Sequence, residues 1–305
     1  MSFSFLTGVS VLRGGVVIDD RFRVVRLAGE GASAEVYRAW DMESEREVAI
    51  KLQPPRGFES TATFARGGEL IVDEGGLGDT LRGIPGVPAH IRRGSHGERA
   101  YLAMDFVDGI LLRELIERSR PLYTETVVSV LAQLCEILSE VHGRGIVHHD
   151  IKPDNIMVGH DGRIWLFDFG IVSTCEDEEY TGCGTPGYAA PEQYHRQHHQ
   201  PQVDVYSLGA MLFEMSALRL PYQEHSGRPE EQTEQFPPGS LTGMPAVLRT
   251  LGTAMAAFDP ADRPKSVSDI LATLRPLLPT SGTPPHPKAP RPDPAAWYRV
   301  PSDTR

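Results

Sequence analysis

Residues 148–155 read His148-His149-Asp150-Ile151-Lys152-Pro153-Asp154-Asn155, a dense polar cluster directly after a long apolar-periodic stretch. Asp168-Phe169-Gly170 begins thirteen residues after Asn155. Between them lie an apolar run at 156–158, then Gly159-His160-Asp161-Gly162, then a second apolar run at 164–167. That is the pattern of strand, tight turn, strand, with Asp-Gly as the turn signal. A hairpin brings its open ends together, so Asn155 and Asp168 are predicted within about two residues of facing each other. An amide oxygen and a carboxylate so placed suit magnesium, a hard cation that takes carboxylate, amide oxygen, phosphate and water. Two turn or capping residues would give the same pattern; the hairpin geometry favours the metal.

Two further groups could handle phosphates. Gly29-Glu30-Gly31-Ala32-Ser33-Ala34-Glu35-Val36 lies between two strand-like runs. Glycines there let a backbone approach phosphate oxygens closely. Alone, such a loop reads equally well as a plain hairpin turn. Val48-Ala49-Ile50-Lys51 has the strand period of two. Ala49 and Lys51 then share one face, with Val48, Ile50 and Leu52 on the other. A small residue beside a lysine leaves room for a base while the lysine reaches phosphates. A strand with one solvent-facing lysine is the plainer reading of those four residues.

The elements that must position these groups change character along the chain. Strand-like segments at 22–27, 35–40 and 47–52 suggest an antiparallel sheet, with another strand at 99–107. A helical pattern at 64–82 is weakened by Gly75, Gly76 and Gly78. Residues 124–142 place Val127, Val130, Leu131, Leu134, Ile137, Leu138 and Val141 at helical spacing, stopped by Gly143 and Gly145. Helices are also predicted at 203–217, 246–257 and 266–277. From about residue 279 the composition turns to Pro, Ser, Thr and Gly, which reads as a disordered or extended tail.

GEGASAEV, VAIK, HHDIKPDN, DFG, GTPGYAAPE and DVYSLG stand in the order of the motifs of eukaryotic-like (Hanks-type) protein kinases. The chain resembles that family over about residues 21–277, and its sequence style is similar to the bacterial members. The resemblance implies an α+β, bilobal protein kinase fold, with a small β-rich N-lobe at 21–104 and a larger α-helical C-lobe at 105–278. A lead-in at 1–20 and the Pro-rich tail at 279–305 flank them. It implies transfer of the γ-phosphate of Mg-ATP to serine or threonine hydroxyls of protein substrates, with autophosphorylation. Lys51 would contact the α- and β-phosphates, and Asp150 would accept or orient the hydroxyl proton. Lys152 would steady the γ-phosphate, while Asn155 and Asp168 would hold Mg²⁺. Leu27, Gly29, Glu30, Gly31, Ala32, Ser33, Ala34, Val36, Ala49 and Lys51 would surround ATP. Met104 looks like the residue behind adenine, and Asp105 and Val107 like the hinge that bonds it. Lys152 and Thr185 resemble the serine/threonine subgroup. Glu192 and Arg263 resemble a buried ion pair that braces the large lobe.

The chain departs from the pattern in places. Ala34 stands where a third glycine is expected. Lys51 needs a glutamate partner, and both Glu69 and Glu74 are candidates. Glu74 is preferred, because Leu77 and Leu81 follow it at helical spacing. The nearby glycines make that helix a control point. His149 replaces the usual arginine, which pairs with a phosphate on the activation segment. A histidine is a weaker, switchable cation near neutral pH. Thr181 holds the usual phosphosite and is expected to be modified without being required.

A pseudokinase, serving as an ATP-binding scaffold, is the first alternative; the retained Lys51, Asp150, Asn155 and Asp168 oppose it. A small-molecule kinase is the second, opposed by GTPGYAAPE, a peptide-docking segment those enzymes lack.

Composition bounds these readings. The chain has 305 residues, 40% apolar and 23% charged, with formal net charge −11. That length allows two lobes, and the acidity argues against nucleic acid as main partner. Three cysteines, Cys135, Cys175 and Cys183, make no disulfide framework and suit a reducing cytoplasm. Cys175 and Cys183 are expected to be inert thiols. No apolar run approaches the ~18–20 residues of a membrane span. The first residues lack the positive charge of a signal peptide. Cytoplasmic location follows as the default. His195, His198 and His199 match no standard metal spacing.

Overall fold

The computed structural model describes residues 11–31, 34–56, 61–170, 184–194, 200–223 and 234–301, with only the backbone of 61–63. The chain forms two compact units, Met1–Arg82 with Pro88–Phe106, and Gly83–Val87 with Val107–Arg305. The first is β-rich and the second α-helical, the bilobal α+β fold expected.

In the first unit, β1 (Val17–Ile18), β2 (Phe22–Glu30), β3 (Glu35–Asp41) and β4 (Arg46–Leu52) are followed by helices α1 (Thr61–Gly76) and α2 (Gly78–Leu81). Strands β5 (His90–His96) and β6 (Arg99–Asp105) complete an antiparallel sheet of order β1-β2-β3-β4-β6-β5. Strand alternation splits its side chains into two layers. Val48, Ile50 and Leu52 are fully buried against Phe22, Val24, Tyr37 and Tyr101. On the other face Ala49 packs with Leu102, Met104 and Ile71 of α1. The β3–β4 turn is fixed by Asp41, which accepts from the Glu43 amide, the Ser44 hydroxyl and the Arg21 guanidinium. The arginine bond holds the Asp41 carboxyl far below the usual carboxylate range, against the opposing effect of burial.

The single helix predicted at 64–82 is instead two, broken at Leu77. The glycines there serve close packing. A Cβ on Gly75 would lie 2.9 Å from Arg93 Cδ, and one on Gly78 would lie 3.0 Å from His90 Cβ. The missing side chains therefore let α1 and α2 approach β5, a strand that HIRRGSH does not announce.

The second unit opens with β7 (Gly109–Leu111), α3 (Leu112–Arg118) and α4 (Thr124–Gly143). The predicted stripe of α4, from Val127 to Val141, is buried. Gly145, at φ 75°, turns the chain after its last turn, where Ile146 N–H donates to Val141 O at 3.2 Å. Strands β8 (Ile156–Gly159) and β9 (Ile164–Leu166) form a hairpin in a sheet of order β7-β8-β9. Then come α5 (Pro191–Tyr194), α6 (Gln202–Ala217), α7 (Ala246–Met255), α8 (Val267–Leu274) and α9 (Ala296–Arg299). Helix α8 starts with a capping box between Ser266 and Asp269. Glu192 and Arg263 form the expected buried ion pair, with bonds of 2.6 and 2.9 Å. Arg263 also donates to the Ala257, Gln202 and Phe258 carbonyls, so its remaining N–H groups are satisfied.

Within the tail expected to be disordered, residues 293–299 are packed. Ala295 is fully buried and Tyr298 nearly so, and Arg299 pairs with Asp293 at 2.7 Å and Glu125 at 2.6 Å. Proline and small residues dominate the composition, yet the segment carries two aromatics and an arginine that find partners on α4 and at Arg163, just before β9. Among the described residues no helix is long and apolar enough to cross a membrane.

Candidate active site

In the first unit, Leu27, Gly29 and Glu30 lie on β2 and Val36 on β3, and Gly31 N–H donates to Ala34 O at 2.9 Å. Ala32 and Ser33 lie outside the described residues. Ala34 is buried with Ile71, Leu102 and Met104, so the methyl that replaces a third glycine fills core space. Gly29 and Gly31 differ. Neither has a positive φ, a Cβ on Gly29 would meet nothing within 4 Å, and one on Gly31 would make only an ordinary contact. The fold itself does not require glycine at either place.

Ala49 and Lys51 lie on one face of β4, paired with Met104 and Leu102 of β6. Lys51 Nζ reaches Glu74 of α1 at 2.5 Å, and both side chains are buried. Of the two glutamates considered, Glu74 is the one that meets the lysine. His90 lies close by. Burial, and next the Lys51 charge, push its imidazole down to about 4, against a bond to the Gly75 backbone. Asp105 ends β6, its N–H donating to Ala89 O and its carboxylate paired with Arg46 at 2.5 Å.

In the second unit, Val107 precedes β7, and the polar cluster 148–155 leads into β8. Lys152 Nζ donates to Asp150 Oδ2 at 2.6 Å and to Thr185 Oγ1 at 2.7 Å. Thr185 Oγ1 in turn donates to Asp150 Oδ1 at 2.7 Å. Asn155 Nδ2 donates to the Asp150 carbonyl at 2.8 Å and to its Oδ2 at 3.0 Å. One carboxylate thus gathers a cation, a hydroxyl and an amide.

The hairpin register pairs Ile156 with Leu166, and Phe167 N–H donates to Asn155 O at 3.1 Å. Asp168 is the next residue, so the two oxygen donors stand at the open end, as the spacing predicts. Asn155 spends its amide N–H on Asp150, which leaves its oxygen as the group able to ligate. A carboxylate and an amide oxygen at one hairpin end make a donor set that fits magnesium. Asp168 has φ 70°, a backbone conformation uncommon for a non-glycine residue. Its neighbour Phe169 is buried against the His148 ring at 4.6 Å, and His148 Nε2 lies 3.1 Å from Phe167 O.

The loop is anchored by a residue to which the sequence reading gave no role. Asp204, in the first turn of α6, accepts the backbone N–H groups of His148 and His149 at 2.9 Å each. It also meets His142 Nε2 at 2.8 Å. Burial raises its carboxyl, but the bond and charge of His142 outweigh it and hold the group below its ordinary range. His149 has φ 67°, and its carbonyl accepts from Gln193 Nε2 at 2.9 Å. DVYSLG was the available signal for Asp204. Arg113 had none: it donates to Asp154 at 3.0 Å and the Tyr188 hydroxyl at 2.7 Å, and also pairs with Glu214. These partners are remote in sequence. Thr181, Cys175, Cys183, His195, His198 and His199 lie outside the described residues. Among the described residues no cluster of metal-ligating side chains of three or more appears.

Comparison with known proteins gives a consistent picture. Residues 22–272 match the protein kinase domain. The chain is 30% identical over 273 residues to the serine/threonine-protein kinase PknD of Mycobacterium tuberculosis, covering 85% of this chain and 40% of that protein. It is 30% identical over 258 residues to PknL of the same organism, covering 81% and 63%. It is 30% identical over 218 residues to PrkC of Bacillus subtilis, covering 70% and 33%. The matched part is thus less than two thirds of each relative's length.

Proposed function

The chain belongs to the protein kinase domain family, and on that premise we propose that it transfers the γ-phosphate of Mg-ATP to serine or threonine hydroxyls of proteins, itself included. The observation that carries this reading is the Asp150 constellation. A carboxylate held by Lys152, Thr185 and Asn155 is oriented to take or steer a hydroxyl proton.

Lys152 brings a positive charge beside that carboxylate, where it steadies the phosphoryl group in transit. Lys51, fixed by Glu74, contacts the α- and β-phosphates. Gly29, with open space above it, and Gly31, where a Cβ would make only an ordinary contact, let the loop backbone approach phosphate oxygens. In the first unit Ala49, Met104 and Asp105, with Leu27 and Val36, serve the base. Asn155 and Asp168 hold Mg²⁺, which when bound neutralises phosphate charge. Phosphoryl transfer asks a protein mainly for alignment and charge stabilisation, and these side chains supply both. The reaction takes place in the cytoplasm, a site suited to the sparse cysteines.

The test is incorporation of labelled γ-phosphate into the protein and into a generic basic substrate. It is expected to fall by roughly 10²-fold or more in Asp150→Asn and in Asp168→Ala. A wild type as silent as its variants, while still binding ATP, would establish the scaffold reading instead.

A further inference from the structure

The β8–β9 hairpin carries Asn155 and Asp168 at its ends, yet its strands have only four and three residues. Two such strands are marginal by themselves, so their register needs outside support. Gln133 of α4 provides it. Its side chain is buried; Oε1 accepts the Ile164 N–H at 2.9 Å and Nε2 donates to Gly162 O at 3.0 Å. The same Nε2 donates to Pro294 O at 3.2 Å. One amide therefore bonds both the hairpin and the C-terminal segment.

The segment also closes on the hairpin directly. Gly162, at φ 85°, has no side chain, and a Cβ there would overlap the Asp293 carbonyl. The Arg163 guanidinium lies over Trp165 of β9 at 4.5 Å and over Trp297 of α9 at 5.4 Å. Arg299 and Tyr298 then tie the segment to Glu125 and Glu136 of α4. Gly162, at the end of the hairpin turn, is buried between α4 and residues 293–299, while His160 and Asp161 stay exposed.

We propose that Gln133 is a positioning residue, and that residues 293–299 are a brace, which together hold the hairpin in the register that aligns Asn155 and Asp168 for the metal. This rests on the assignment of magnesium to those two residues. Gln133 touches no reacting group; it acts through Ile164 and Gly162.

The experiment uses the full chain with Gln133→Met, and separately Trp297→Ala, whose loss leaves the core of α4 intact. Two readouts are taken: amide hydrogen exchange over 156–168, and Mn²⁺ uptake with ATP followed by electron paramagnetic resonance. Both variants are expected to exchange hairpin amides about tenfold faster. The Mn²⁺ concentration for half-saturation is expected to rise about three- to tenfold, with metal-free ATP binding unchanged. Unchanged hairpin exchange in both variants overturns the proposal. So does faster exchange with Mn²⁺ uptake unaltered, which leaves the brace a purely structural part. A wild type that takes up no Mn²⁺ with ATP removes the magnesium assignment, and the proposal with it, whatever the exchange shows.

Discussion

Thr185 shows how one hydroxyl serves two charged groups. It donates to Asp150 and accepts from Lys152, so it fixes the distance between carboxylate and ammonium. Thr185→Val keeps the shape and removes both bonds. We expect kcat to fall about ten- to hundredfold, with unfolding free energy lowered by only about 1–2 kcal/mol; Thr185→Ser should restore most of the rate. His90 gives a pH signature. Its folded value near 4 lies below the ordinary histidine value of about 6.5. Between these limits the unfolded chain binds more protons, so stability is full above about pH 6.5 and is lost as pH falls towards 4. The slope contributed is at most about 1.4 kcal/mol per pH unit. Urea unfolding at several pH values should show that slope, and His90→Gln should flatten it.

At the scale of elements, the glycines of α1 and α2 determine how near β5 can come. Gly78→Ala would improve helix propensity by about 1 kcal/mol. The added methyl, however, would lie 3.0 Å from His90 Cβ and 3.3 Å from its Nδ1. We expect a net loss of about 1–3 kcal/mol by calorimetry, as for an overpacked core. The sequence spoke clearly where period and chemistry agreed: the stripe of α4, the alternation of β4 and the Asp-Gly hairpin were all legible. So was the pairing of hairpin ends, since a tight turn leaves few registers. Strand β5 was not, because HIRRGSH has little apolar alternation and half its side chains face solvent. Helix α1 was blurred because its glycines answer to neighbours far along the chain. Arg113 stayed hidden for the same reason: its partners Asp154, Tyr188 and Glu214 lie 41 to 101 residues away.

For the whole molecule, two features dominate. The first is charge. A net −11 creates a field that attracts basic partners, and salt screens it over about 8 Å at physiological ionic strength. With a basic peptide as substrate, raising NaCl from about 50 to 300 mM should raise KM severalfold and leave kcat nearly unchanged. The second is the buried Glu192–Arg263 pair. Arg263→Met would strand a carboxylate in the interior, at a cost of about 3–5 kcal/mol in denaturant unfolding.

The seating of residues 293–299 also bears on how the gene should be cut. The recognised family match ends at residue 272, inside α8, ahead of the fully buried Leu274. A fragment ended there would lose the end of that helix and residues 293–299, including the Pro294 carbonyl bonded to Gln133. An expression boundary beyond Val300 is the one that keeps the folded body whole, and an inactive shorter fragment would report on the cut, not on the enzyme.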